Sequence, residues 1–176
     1  MKKLYILRHS KAGHSNKKIL DDHERDLTDK GIDLCSYIGS HLKENSHEVD
    51  TILCSTSNRT KQTAEYTTEA YGRDVDINFE STLYLATPET ILNELYALDD
   101  SINSAMVIGH NPGLHQLSIL LSGSGDKKKF REMRSNFPPP SLVIFEIDSD
   151  KWSDVRIQSG KLIDFVTGKD LKSQKG

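Results

Sequence analysis

The sequence predicts a three-layer α/β sandwich in which helices cover both faces of a mostly parallel sheet that becomes mixed at one edge. Three observations carry this. Short apolar runs at residues 3–7, 50–54, 75–79 and 105–108 alternate with amphipathic segments of helical period. Strand–helix–strand order favours parallel pairs with a covering helix. Beyond residue 140 the apolar runs at 142–147, 155–158 and 162–166 follow one another through polar turns, without helices between them. Strands joined in that way reverse direction, which places the mixed edge late in the chain.

The helices are bounded by recognisable caps. Thr28 is an N-cap, and Leu34, Ile38 and Leu42, with Cys35 beside them, mark one buried face. Ser57 or Asn58 opens a second helix that runs to Tyr71 and stops at Gly72. Thr87 precedes Pro88 at a first helical position, where the missing N–H costs nothing, and Ile91, Leu92, Leu95 and Leu98 form the inner stripe. A further helix runs from Leu114 to Leu121. Gly123-Ser124-Gly125 ends it and opens an irregular stretch through Pro138-Pro139-Pro140. The reading gives one domain over residues 1–168 and a solvated tail over 169–176. Trp152 reads as a packing residue, and Tyr84 suits either core packing or a place near the ligand.

With 176 residues, 35% hydrophobic and 28% charged, the chain can bury a real core as a soluble domain. A net charge of -3 gives no support for general nucleic-acid binding, and no run approaches a membrane span. The apolar run after Met1-Lys2-Lys3 stops at Arg8, too soon for a signal peptide. Cys35 and Cys54 both lie in apolar periodic segments, which favours buried thiols and a cytoplasmic location over a disulfide.

The chemistry gathers at three strand exits. Leu7-Arg8-His9-Ser10 and Ile108-Gly109-His110-Asn111-Pro112-Gly113 each end an apolar run with a histidine, and Cys54-Ser55-Thr56-Ser57-Asn58-Arg59-Thr60 supplies an arginine. In an open α/β sheet the carboxyl ends of the strands line one crevice. Arg8 and Arg59 can each offer a rigid fork to phosphate oxygens. A neutral imidazole, with a reference pKa of about 6.5, is a good nucleophile at neutral pH. An attacking His9 would become a phosphohistidine, His110 could stabilise the transferring oxygens, and Arg25 could close over the phosphate. Taken singly, either histidine could equally satisfy a backbone carbonyl at the sheet edge.

Two other patterns compete. His14, His23 and Glu24 could suggest a metal site with His9, but no compact i,i+4 pair is present and no metal is expected. Gly123-Ser124-Gly125-Asp126-Lys127-Lys128 has the wrong glycine spacing for a P-loop. The charge that continues through Lys129, Arg131 and Arg134 reads either as a solvated turn and short helix or as a rim that steers an anionic phosphoprotein.

Five blocks together resemble the histidine phosphatase superfamily, with its phosphoglycerate-mutase-like fold, and within it the small phosphohistidine phosphatase branch. They are Leu7-Arg8-His9-Ser10-Lys11-Ala12, Glu24-Arg25-Asp26-Leu27-Thr28-Asp29-Lys30-Gly31, the run from Cys54 to Thr63, Leu83-Tyr84-Leu85-Ala86, and Val107 to Gly113. The resemblance implies His9 as the phosphorylated nucleophile. It implies Arg8, Arg59 and His110 as the rest of the phosphate pocket, with Arg25 as an added contact. No metal or organic cofactor is implied. The implied partners are a phosphorylated protein, such as a histidine phosphotransfer protein, and phosphate or another oxyanion in the pocket.

Two departures refine it. The common superfamily motif has glycine after the histidine, where this chain has Ser10. Larger members carry an acid after the third strand to protonate an alcohol leaving group. Here Leu83-Tyr84-Leu85-Ala86 occupies that region, flanked by Glu80 and Glu89, neither of which fits the motif. An alkoxide leaves badly without an acid, whereas imidazole does not need one, so the missing acid favours N–P substrates. The alternatives are a small-molecule phosphomonoesterase of the same fold and a non-catalytic phosphoprotein-binding module.

Overall fold

A computed structural model describes residues 1–13 and 21–175. Seven strands form one sheet in the order β3-β2-β4-β1-β6-β7-β5. In chain order these are β1 (Lys2–Arg8), β2 (Thr51–Cys54), β3 (Asp76–Phe79), β4 (Ser104–Gly109), β5 (Ser122–Gly125), β6 (Ser141–Ile147) and β7 (Gly160–Thr167). The pairs β1–β4, β2–β4, β2–β3 and β5–β7 are parallel, and β6 alone runs against its neighbours β1 and β7. The mixed edge is therefore the consequence of one reversed strand.

Alternation along the central strands builds two cores. Leu4 and Ile6 of β1 join Ala105, Val107, Val143 and Phe145 on one face, and Tyr5 and Leu7 join Met106, Ile108, Leu142 and Ile144 on the other. The first face is covered by α3 (Pro88–Tyr96) and α4 (Gly113–Leu121), the second by α1 (Asp29–Glu44) and α2 (Asn58–Tyr71). Strands buried on both faces carry unbroken apolar runs, as the sequence does here. The caps form as expected: the Thr28, Ser57 and Thr87 side chains accept from Gly31, Thr60 and Thr90 N–H groups. Gly72 ends α2 in the left-handed region at φ 75°. Trp152 is fully buried and donates from Nε1 to the Ile102 carbonyl at 2.9 Å.

Three expectations need correction. The stretch after Leu121 is not irregular: β5 occupies its start, and α5 (Lys127–Ser135) is the short helix that one reading of the charged segment gave. The Ser-Gly composition of β5 carries no strand propensity, and pairing with β7 creates the strand. In α5 only Phe130 and Met133 face inward, too few for a visible apolar period. Residues 155–158 form no strand; a single 3-10 turn at Trp152–Asp154 leads into a loop in which only Val155 is buried. Residues 169–175, the described part of the expected tail, are not a free solvated segment: α6 (Gly168–Lys175) docks on α1 through buried Leu171 and the pairs Lys172–Asp33 and Lys175–Glu44. Cys35 and Cys54 are buried free thiols, and no helix among the described residues is long and apolar enough to cross a membrane.

Gly31 fixes how α1 meets the segment after β1. A Cβ at this position would stand 2.1 Å from the Lys11 carbonyl oxygen, which is backbone and cannot step aside. Gly31→Ala is expected to lower the urea midpoint, with a loss of about 1–3 kcal/mol typical of overpacking. An unchanged midpoint would show that the segment adapts freely.

Candidate active site

The pairing of β1 with β4 sets the site. Arg8 lies opposite Gly109, and the His9 N–H continues the ladder to the Gly109 carbonyl at 3.1 Å. The two strands thus stop at the same level, and His9 and His110 leave side by side with ring centroids 5.4 Å apart. On the other side of β4, Ser55 N–H bonds the Ile108 carbonyl at 3.0 Å, and the first turn of α2 then presents Arg59. Arg8, His9, Arg25, Arg59 and His110 all line one open cleft of about 420 Å³, together with Asp22 and Leu85. Leu85 is an exposed apolar residue at this cleft whose backbone is left-handed at φ 50°.

His9 is 9% exposed, and its ring is held in one tautomer. Nδ1 lies 2.6 Å from the Ser10 carbonyl oxygen, which can only accept, so Nδ1 carries the proton and Nε2 keeps the lone pair. Burial pushes the His9 pKa down to about 4, with Arg59, Arg8 and Arg25 adding to the shift. The ring is therefore neutral at pH 7. Ser10 in turn is anchored twice: its N–H donates to Thr63 Oγ1 at 2.9 Å and its hydroxyl to the Gly31 carbonyl at 2.6 Å. Ser10 is not among the residues with positive φ, so the place of the family's glycine is taken without strain, and the hydroxyl finds its own acceptor.

His110 has the opposite arrangement. Arg59 Nη2 donates toward His110 Nδ1 at 3.3 Å, which makes Nε2–H the donor to Ser55 Oγ at 2.8 Å. Burial, followed by the neighbouring His9 and Arg59, lowers the His110 pKa to about 3. Both ring nitrogens are thus engaged by protein groups.

The arginines are fixed by backbone carbonyls. Arg8 Nη1 donates to the Phe137 carbonyl at 2.7 Å and Arg59 Nη1 to the Asp22 carbonyl at 2.7 Å. The buried Nε atoms of Arg8 and Arg59 find no partner among the described residues. Orphaned donors of this kind call for an acceptor, and an oxyanion in the cleft is the natural one.

Sequence reasoning missed Asp22. Its carboxylate sits within the basic cluster, accepting from Arg59 Nη2 at 3.0 Å, from Arg25 Nε at 3.0 Å and from the Tyr84 hydroxyl. The Tyr84 hydrogen bond, with Arg59 and Arg25 behind it, holds the Asp22 pKa at about 2, so the group is ionised at neutral pH. The spacing of Asp22 and Arg25, three apart beside an acidic run, was the available signal. Glu80 and Glu89 do not line the cleft. His23 bonds Thr56 Oγ1 at 2.9 Å, and no cluster that could hold a metal occurs among the described residues; His14 lies outside them.

Comparison with known proteins agrees with this geometry. Residues 4–83 match the histidine phosphatase superfamily (branch 1). An uncharacterized protein of Mycobacterium tuberculosis is 30% identical over 161 residues, covering 90% of this chain and 98% of that protein. A candidate phosphohistidine phosphatase SixA from Agrobacterium tumefaciens superposes with a TM-score of 0.79 at 26% identity, covering 94% of this chain and 97% of its own. A second SixA candidate, from Nakamurella, has a TM-score of 0.81 at 24% identity, covering 94% and 95%. The chain belongs to the histidine phosphatase superfamily, in its SixA-like branch.

Proposed function

We propose that the protein is a phosphohistidine phosphatase that works through a covalent intermediate on His9 and acts on a phosphorylated protein. The observation that carries this reading is the His9 ring: neutral, with Nδ1–H fixed on the Ser10 carbonyl and Nε2 left as the nucleophile beside Arg8 and Arg59. In the first step the Nε2 lone pair forms a bond to phosphorus while the substrate's own N–P bond breaks; the substrate ring, already protonated on its other nitrogen, takes the electron pair and leaves as neutral imidazole. In the second step water attacks phosphorus, its proton leaves with the phosphate, and Nε2 regains its lone pair.

Exchange of one N–P bond for another needs no proton donor, and the charge environment suits that. Among the described residues lining the cleft, Asp22 is the carboxylate, and it is ionised rather than poised to protonate an alkoxide. Arg8 and Arg59 act by positioning and charge, which is what phosphoryl transfer chiefly requires. Arg25, which lines the same cleft and shares Asp22 with Arg59, adds a third guanidinium to the clamp. An incoming phosphate raises the proton affinity of His110; protonation at Nδ1 ends its acceptance from Arg59 and makes that nitrogen a donor to the transferring oxygens, with Nε2–H kept on Ser55. Buried free thiols suit a reducing compartment, in keeping with a cytoplasmic enzyme.

Turnover of a phosphohistidine protein, an aryl phosphate and a serine phosphoester should rank in that order. Preference for the serine ester would overturn the assignment. His9→Ala should abolish trapping of labelled phosphoenzyme and lower kcat at least about a thousandfold; a labelled intermediate surviving in this variant would contradict it.

The acid limb of kcat/KM should fall near pH 4, because burial depresses the free enzyme's His9 below the usual histidine value of about 6.5. A limb near 6.5 would mean that the nucleophile is a solvated imidazole.

Asp22 competes with phosphate for Arg25 and Arg59. Asp22→Asn is therefore expected to tighten inhibition by inorganic phosphate about tenfold. Weaker inhibition would show instead that the carboxylate is needed to hold the arginines in place.

A further inference from the structure

Helix α5 carries an exposed basic face that the chemistry at His9 does not use. Residues 126–134 hold five cations, Lys127, Lys128, Lys129, Arg131 and Arg134, against the two carboxylates of Asp126 and Glu132, in a chain whose net charge is -3. Lys127, Arg131 and Arg134 recur at i, i+4 and i+7, so they share one side of the helix, and all three are exposed. None of them has a carboxylate partner among the described residues; Lys129, which does, turns the other way to Asp164 and the Phe165 carbonyl. Asp126 is spent as the helix cap, its side chain accepting from Lys129 N–H.

This stripe leads to the cleft. The last turn of α5 rests on α4, where His115 Nε2 meets the Met133 carbonyl at 2.8 Å. Three residues after Arg134, the Phe137 carbonyl accepts from Arg8 Nη1, and Pro139 lines the cleft itself. Lys127 lies seven residues before Arg134, or about 10 Å along the axis at 1.5 Å per residue. The positive charge therefore begins within a few residues of the cleft wall and continues along the helix over a length that a small phosphorylated side chain does not span. Its exposed guanidinium and ammonium groups are compatible with a wet, charge-guided contact.

We propose that the Lys127–Arg131–Arg134 face of α5 docks an acidic surface of the phosphoprotein substrate and steers its phosphohistidine into the cleft. This rests on the phosphohistidine phosphatase reading above and adds the surface chemistry of the partner. Complementary charge raises the encounter rate and falls off with ionic strength.

The test combines Lys127→Glu, Arg131→Glu and Arg134→Glu in the full chain. Three probes are compared: N-phosphoimidazole, an acidic carrier protein phosphorylated on histidine, and a basic carrier phosphorylated in the same way. At low salt the triple variant should lose about tenfold in kcat/KM on the acidic carrier, through KM, and its dependence on ionic strength should flatten. Turnover of N-phosphoimidazole should stay unchanged, and the basic carrier should lose nothing. A loss below threefold on the acidic carrier, or an equal loss on both carriers, overturns the proposal. If the reversal also slows N-phosphoimidazole, Lys127→Gln, Arg131→Gln and Arg134→Gln provide the same comparison with less disturbance. A wild-type protein inactive on all three probes would instead sink the phosphohistidine reading itself.

Discussion

The parallel pairing of β1 with β4 is the constraint on which the rest depends. Both strands are buried on both faces, so a slip of one residue would move every side chain to the wrong core. That register places Arg8 opposite Gly109 and brings His9 and His110 out at one level. The hydrophobic cores therefore fix the separation of two imidazoles that lie 101 positions apart in the chain. β2 adds a third exit at the same level, and the Ser57 cap turns its chain into α2 so that Arg59 points back into the cleft. The residues at these three exits need no loop to find the site, whereas Asp22 and Arg25 reach it from the connection between β1 and α1.

Electrostatics then divide the work among residues that look alike in sequence. The two histidines are both buried and neutral, yet their hydrogen bonds select opposite tautomers. A carbonyl acceptor at Nδ1 leaves His9 Nε2 with its lone pair, and an arginine donor at Nδ1 makes His110 give its proton to Ser55. The arginines are held by carbonyl oxygens and by Asp22, a group that balances part of their charge. Packing this many cations around one cleft without a counter-anion would cost stability through self-repulsion. Ionised, the same carboxylate holds no proton of its own to give.

Much of this was legible in the chain because local signals agreed with the tertiary fold. The Thr28, Ser57 and Thr87 caps, the Gly72 stop and the buried strands around residues 3–7 and 105–108 all formed where periodicity placed them. The elements that escaped are those made by tertiary contact. Ser122–Gly125 is a strand only because β7 pairs with it, and α6 is held by one leucine and two ion pairs. Residues 155–158 alternated convincingly yet lack a partner strand among the described residues. At the site, His9, Arg8, Arg59 and His110 stood at strand exits or the helix turn after one, where position implies direction. Asp22 stood in a polar run with no periodicity, so only the folded chain could bring it to Arg59, 37 positions away.

The most direct measurement is the position of phosphorus in the trapped phosphoenzyme, read by one-bond nitrogen–phosphorus coupling in protein labelled with 15N histidine. The expected spectrum has phosphorus on Nε2 of His9, with Nδ1–H still present and bonded to the Ser10 carbonyl. Phosphorus on Nδ1, on His110 or on any non-histidine side chain would contradict the mechanism.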